Sequence, residues 1–157
     1  MTAHTCRLTG YRRRAEEFHR GRWLVGDLVS FRDDRRVPLF HDEPPETRSV
    51  SRTLVSPGHA WVSFTGIDWI DRRARLEMRV LDAGPSDRLD ALVAEAVEVA
   101  FGRFGLLRLE GWVTPGHYDV APALLDNGFV MEAVVPHAIR VDGKPVDRQI
   151  WGKVGER

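Results

Sequence analysis

Gly84–Val113 reads GPSDRLDALVAEAVEVAFGRFGLLRLEGWV, and its patterning decides the fold. Leu89, Leu92, Val93, Ala96, Val97, Ala100, Phe101 and Phe104 recur at alternating steps of three and one, so they line one side of an amphipathic helix. Ser86 or Asp87 can cap its start, because either side chain accepts from the free N–H groups of a first turn, and Gly105 can end it. Leu106–Val113 then alternates as a strand. A helix running straight into a strand predicts an α/β architecture.

The neighbouring segments agree. Upstream, His59–Ile70 reads as a strand and "DRRA" as a charged turn. In the next strand, Arg75–Leu81, Leu76, Met78 and Val80 share one face while Arg75, Glu77 and Arg79 share the other. Downstream, "TPGHYD" is a turn and "VAPALLDNG" a short helix that Gly128 can end. Phe129–Val141 and Lys144–Val154 form a hairpin around Asp142-Gly143. Strand, strand, helix, strand, helix, strand, strand predicts a single domain with a mixed, mostly antiparallel sheet flanked by helices. Residues 23–157 are assigned to it and residues 1–22 to a polar, Arg-rich arm. "WLVGDLVSF" (Trp23–Phe31) reads as a strand or hairpin. The Pro-containing stretch after it is a long connection that either covers a pocket or is plain surface.

Bulk composition narrows the function. The chain has 157 residues, enough for one core. It carries 23 basic and 23 acidic residues, and this balance argues against a general nucleic-acid binder. Cys6, the only cysteine, permits neither an internal disulfide nor a cysteine zinc cluster. His4, His19, His41, His59, His117 and His137 lack metal-ligand spacing, so no metal site is expected. There is no signal-like apolar core and no membrane-length apolar run. A cytoplasmic protein without a membrane partner is expected, and exposed strand edges make a homodimer reasonable.

The stretches RLEMRVLDAG, ALVAEAVEVAFGRFGLLRLEGWV and APALLDNGFVMEAVVPHAIRVDGKPVDRQIWGKV together resemble the GNAT N-acetyltransferase superfamily. The likeness is closest to the branch that acetylates ribosomal-protein N-termini and related small amines. It covers about residues 59–154. The resemblance implies an acetyl-CoA or other acyl-CoA donor entering where two parallel strands splay apart, its pyrophosphate on the N-terminus of the central helix. Helix starts suit anions because their N–H donors are unsatisfied, and glycines let the backbone approach.

The loop expected there is degenerate. Pro85 removes a donor, and Asp87 brings a carboxylate toward the phosphate position. Two like charges about 4–5 Å apart, at an effective dielectric near 20, cost about 3–4 kcal/mol. That weakens binding by roughly two orders of magnitude. Asp87 also reads as an ordinary helix cap or first-turn acid. Ser86, Arg88 and the remaining N–H groups are left as cofactor contacts. On the second helix, Leu124 stands where many members carry a Tyr that protonates the leaving thiolate.

The remaining candidates follow from place and resemblance. Glu77 matches a family Glu that lines the amine site, where a carboxylate accepts a proton from the attacking amine; its ordinary role is to pair Arg75 or Arg79. Backbone N–H groups near Met78 and Val80 would steady the thioester oxyanion. His117 and Tyr118 follow a strand end, where open α/β sheets place ligands, and are also plain turn residues after Pro115-Gly116. Trp112, Glu110 and Asp119 surround that turn as pocket walls, with packing or helix capping as their alternative roles.

Three functions fit. The first is transfer of an acyl group from acyl-CoA to an amine of a small molecule or peptide. The second is a GNAT-fold enzyme that does without acetyl-CoA and moves protons in a cyclisation, isomerisation or elimination. The third is a non-catalytic binding or dimerisation module.

Overall fold

In the computed structural model the described residues are 7–10, 23–24, 27–31, 40–41, 51–56, 59–81, 86–116 and 119–156. Their strands are β1 (Thr9–Gly10), β2 (Trp23–Leu24), β3 (Val29–Phe31), β4 (Phe40–His41), β5 (Arg52–Ser56), β6 (Ala60–Asp68), β7 (Arg73–Val80), β8 (Arg108–Val113), β9 (Val130–Val141) and β10 (Lys144–Val154). Two helices interrupt them, α1 (Ser86–Glu98) and α2 (Ala121–Asp126).

The main sheet runs β1-β5-β6-β7-β8-β10-β9, with β3 also paired to β7. All its pairings are antiparallel except β7 with β8 and β3 with β7. This is the mixed, mostly antiparallel sheet that the sequence predicts.

The alternation along β7 sorts the two faces. Leu76, Met78 and Val80 enter the main core with Val62 and Phe64 from β6, Leu109 and Val113 from β8, and Leu92, Val93 and Ala96 from α1. Residues paired across β6 and β7 share a face, as Val62 with Met78 and Phe64 with Leu76 do. Each such side chain, once buried, contributes roughly 1.5–3 kcal/mol. Helix α2 adds Ala123 and Leu124 to the same core. It is tied to α1 by Asn127 Nδ2, which donates to Asp90 Oδ1 at 2.7 Å.

The apolar stripe of α1 is seated as expected, but its end is not plain α-helix. Val99–Arg103 is a π-helical turn, in which Phe104 N–H reaches back five residues to Val99 O at 3.0 Å. Widening the helix carries the Phe104 ring onto Phe64, edge to face at 5.4 Å between centroids. Gly105 then turns the chain with φ +64°, a left-handed value that a side chain resists.

Two features depart from the sequence reading. Arg52–Ser56 forms a strand within a stretch that carried no strand assignment. Leu8, within the expected polar arm, lies in the core at 4% exposure, and Thr9–Gly10 pairs with Leu54–Val55. Most of the Pro-containing connection lies outside the described residues, as does Cys6.

Candidate functional site

Strands β7 and β8 pair in parallel only from Arg73–Arg75 to Arg108–Glu110. Beyond that point the slot between them contains another part of the chain. Val29–Phe31 pairs in parallel with Met78–Val80, and Asp27 bridges to Trp112 on the other side. Leu28 N–H donates to Trp112 O at 2.6 Å, and Met78 N–H donates to Leu28 O at 2.8 Å. The Leu28 side chain is fully buried in the main core.

Gly111 makes room for this insertion. A Cβ there would lie 2.6 Å from Leu28 Cγ and 2.9 Å from Leu76 O, inside any real carbon contact. An isolated glycine in a strand marks such a close approach.

Asp27 anchors the segment and is 4% exposed. Its Oδ1 accepts from Arg148 Nη2 at 2.6 Å and from Thr114 Oγ1 at 3.0 Å, and its Oδ2 accepts from Thr114 N–H at 3.2 Å. Burial nevertheless outweighs these favourable partners and pushes the carboxyl up to about 6. The Arg148 guanidinium also lies over the Trp112 ring, 4.9 Å from its centroid, where the π-cloud attracts a cation.

The face opposite α1 is polar along β7. Glu77 is half-buried and faces Ser63 across the sheet; Ser63 Oγ in turn lies 3.1 Å from Thr53 Oγ1. Arg79 is 2% exposed and stacks 4.4 Å over Trp61. Burial lowers its guanidinium to about 10, with the Glu77 charge opposing the shift.

Beside them Arg108 forms two bonds with Glu132, at 2.9 and 2.6 Å, and a third to Glu110 at 3.2 Å. This bidentate pair holds the Glu132 carboxyl below its ordinary value.

The expected site residues therefore fall into separate places. Met78 and Val80 line the slot, with the Met78 amide bonded to Leu28 and Val80 opposite Phe31 in the β3 ladder. Trp112 forms the other wall. Glu110, paired with Arg75, and Glu77 lie on the polar face. Asp119 is exposed and accepts from Ala121 N–H at 3.1 Å, so it satisfies the first N–H of α2. Arg88 is exposed on the first turn of α1. His117, Tyr118, Gly84 and Pro85 lie outside the described residues, as do the side chains of Ser86 and Asp87. No group of metal-ligating side chains forms among the described residues, and none of their helices is long and apolar enough to cross a membrane.

Sequence reasoning missed Asp27, Leu28, Gly111, Thr114 and Arg148. Two signals were present: a carboxylate inside the apolar run WLVGDLVSF, and a glycine inside the strand LEGWV.

An α1 that follows β7 and returns to a parallel β8, with β10 inserted between β8 and β9, is the architecture of the GNAT N-acetyltransferases, and the chain has that fold. A point mutant of the spermidine N-acetyltransferase SpeG from Vibrio cholerae matches with TM-score 0.62 and 16% identity, covering 68% of this chain. The match spans 66% of that acetyltransferase's length. A dodecameric structure of the Vibrio cholerae spermidine N-acetyltransferase matches at TM-score 0.61 and 17% identity, over 68% of this chain and 66% of that one. A putative phosphinothricin N-acetyltransferase matches at 0.60 and 20%, over 70% and 75%. No protein-family model matches the chain, and no curated protein does.

The resemblance noted in the sequence implies an acyl-CoA donor in this slot. With Leu28 in place, the Met78 amide is taken and the space beside Gly111 is filled. In this conformation the residues do not fit an acyl-CoA there.

Proposed function

We propose that this chain transfers an acyl group from a thioester donor substrate of the acyl-CoA class to an amine of a small molecule or peptide. The observation that carries the reading is the divergence of parallel β7 and β8 beneath α1, with Glu77 on the strand beside the slot. The names of the structural neighbours, spermidine and phosphinothricin acetyltransferases, favour a small amine as acceptor. The likeness to the ribosomal-protein branch extends the class to peptide N-termini.

The reaction forms an amide C–N bond and breaks the thioester C–S bond. Glu77 accepts the proton lost by the amine. Were β3 to leave the slot, the amides of Met78 and Val80 would be free to donate to an acyl oxygen. His117 or Tyr118 returns a proton to the leaving sulfur. Ser86 and Arg88 would hold the donor's phosphates, and Trp112, Glu110 and Asp119 would border the acceptor. Calorimetry and melting curves with acetyl-CoA and CoA test this reading. Heat of binding and a raised Tm are expected at millimolar ligand, and neither effect, even in a variant with the slot loosened, removes it.

A second reading is favoured by Leu28 itself. A chain that fills the slot with its own residues suits an enzyme that uses no acyl-CoA and moves protons on a small metabolite through Glu77. Turnover of a metabolite without any thioester, lost in Glu77→Gln, distinguishes it.

A further inference from the structure

We infer that Asp27–Phe31 is a displaceable internal strand that competes with ligands for the slot between β7 and β8. The inference rests on the reading of that slot as a ligand site. Three observations carry it. The segment uses the groups a guest would need: its Leu28 carbonyl takes the Met78 amide, and its Leu28 amide takes the Trp112 carbonyl. Among the described residues its hold on the sheet is short, three residues paired to β7 and a single bridge to β8, whereas the β6–β7 ladder beside it spans most of both strands. Its polar anchor centres on a buried ion pair, Asp27 with Arg148, and such pairs are poor net stabilisers because both charges leave water. Docked, the segment closes the slot; swung out, it exposes the Met78 amide, the Trp112 carbonyl and the space beside Gly111 together. Access is therefore set by an equilibrium within the chain, and a ligand's apparent affinity is lowered by the fraction of chains that are closed.

Hydrogen exchange on the full chain, combined with acetyl-CoA titration of wild type, Leu28→Ala and Arg148→Met, tests this. The two variants loosen the segment from its apolar and its polar end, and circular dichroism checks that each is folded. The backbone amide at position 28 is expected to exchange at least tenfold faster than the β6–β7 ladder, and faster again in both variants. Acetyl-CoA is expected to bind the variants at least tenfold more tightly than wild type. Exchange of Leu28 at the rate of the β6–β7 ladder overturns the inference, because the segment then leaves only on global unfolding. Equal acetyl-CoA affinity in all three proteins also overturns it and leaves the acyltransferase reading standing. Fast Leu28 exchange with no acetyl-CoA binding to any of them supports the displaceable strand and removes the acyl-CoA donor.

Discussion

Replacing the Asp27 carboxyl by a carboxamide, in Asp27→Asn, tests the electrostatics of the buried anchor. The Asp27 carboxyl stands near 6 against an ordinary 3.8, so the folded chain holds this proton more tightly than the unfolded chain. The resulting stabilisation is complete below about pH 4. It falls as pH rises through the window between the two values, because there the folded state binds more protons. A difference of about two units at about 1.4 kcal/mol each amounts to about 3 kcal/mol. For a chain of this size that corresponds to roughly 6–12 °C in Tm. A carboxamide cannot titrate, so the variant lacks the component. Melting curves of both proteins from pH 4 to 7.5 cancel the contributions of all other carboxylates. The stability advantage of wild type over Asp27→Asn is expected to shrink by about 3 kcal/mol across that range. An advantage that stays constant, or widens toward neutral pH, refutes the reasoning. Widening would mean that the Arg148 charge and the Thr114 bonds outweigh burial.

Gly111→Ala should destabilise by about 1–3 kcal/mol, since its Cβ would meet Leu28 and the Leu76 carbonyl. In the double variant with Leu28→Ala the loss should be clearly less than additive, and additive melting changes would mean that the two residues do not touch. Glu77→Gln should lower turnover of an accepted amine by about a hundredfold or more with Tm unchanged; full activity would exclude Glu77 as the base. Glu132→Gln should cost less than about 1 kcal/mol, because its pair with Arg108 is about one-third exposed on each side. Its contribution is present at neutral pH and fades as pH falls into and below the ordinary carboxylate range, which acid titration of the Tm difference would follow.

The framework of the fold was legible because it is written in local periodicity. The stripe from Leu89 to Phe104 and the alternation of Leu76, Met78 and Val80 are consequences of 3.6- and 2-residue repeats. The π-turn at Val99–Arg103 was not, since one residue of slippage still keeps Phe101 and Phe104 near the core. Strand β5 was missed because Arg52–Ser56 buries polar Thr53 and Ser56 along with Val55, which blurs the alternation. Of the candidate residues, the strand positions of Glu77 and Trp112 were legible because they lie on those regular elements. The slot's contents came from a distant segment, and nothing local in WLVGDLVSF says that it pairs with residues about fifty positions later. Asp27 was the available clue, since a carboxylate in an apolar run needs a buried partner.

The anchor also sets an order of assembly. Asp27 meets Thr114 across 87 positions and Arg148 across 121. During synthesis the bond from Arg148 to Asp27 therefore cannot form until the residues through Arg148 have left the ribosome. Contacts of such long sequence separation form slowly. Chains cut short before Arg148 would have the two walls of the slot but not the cation that fastens its occupant. The counter-charge that fastens Asp27 is thus the last part of the slot to be made.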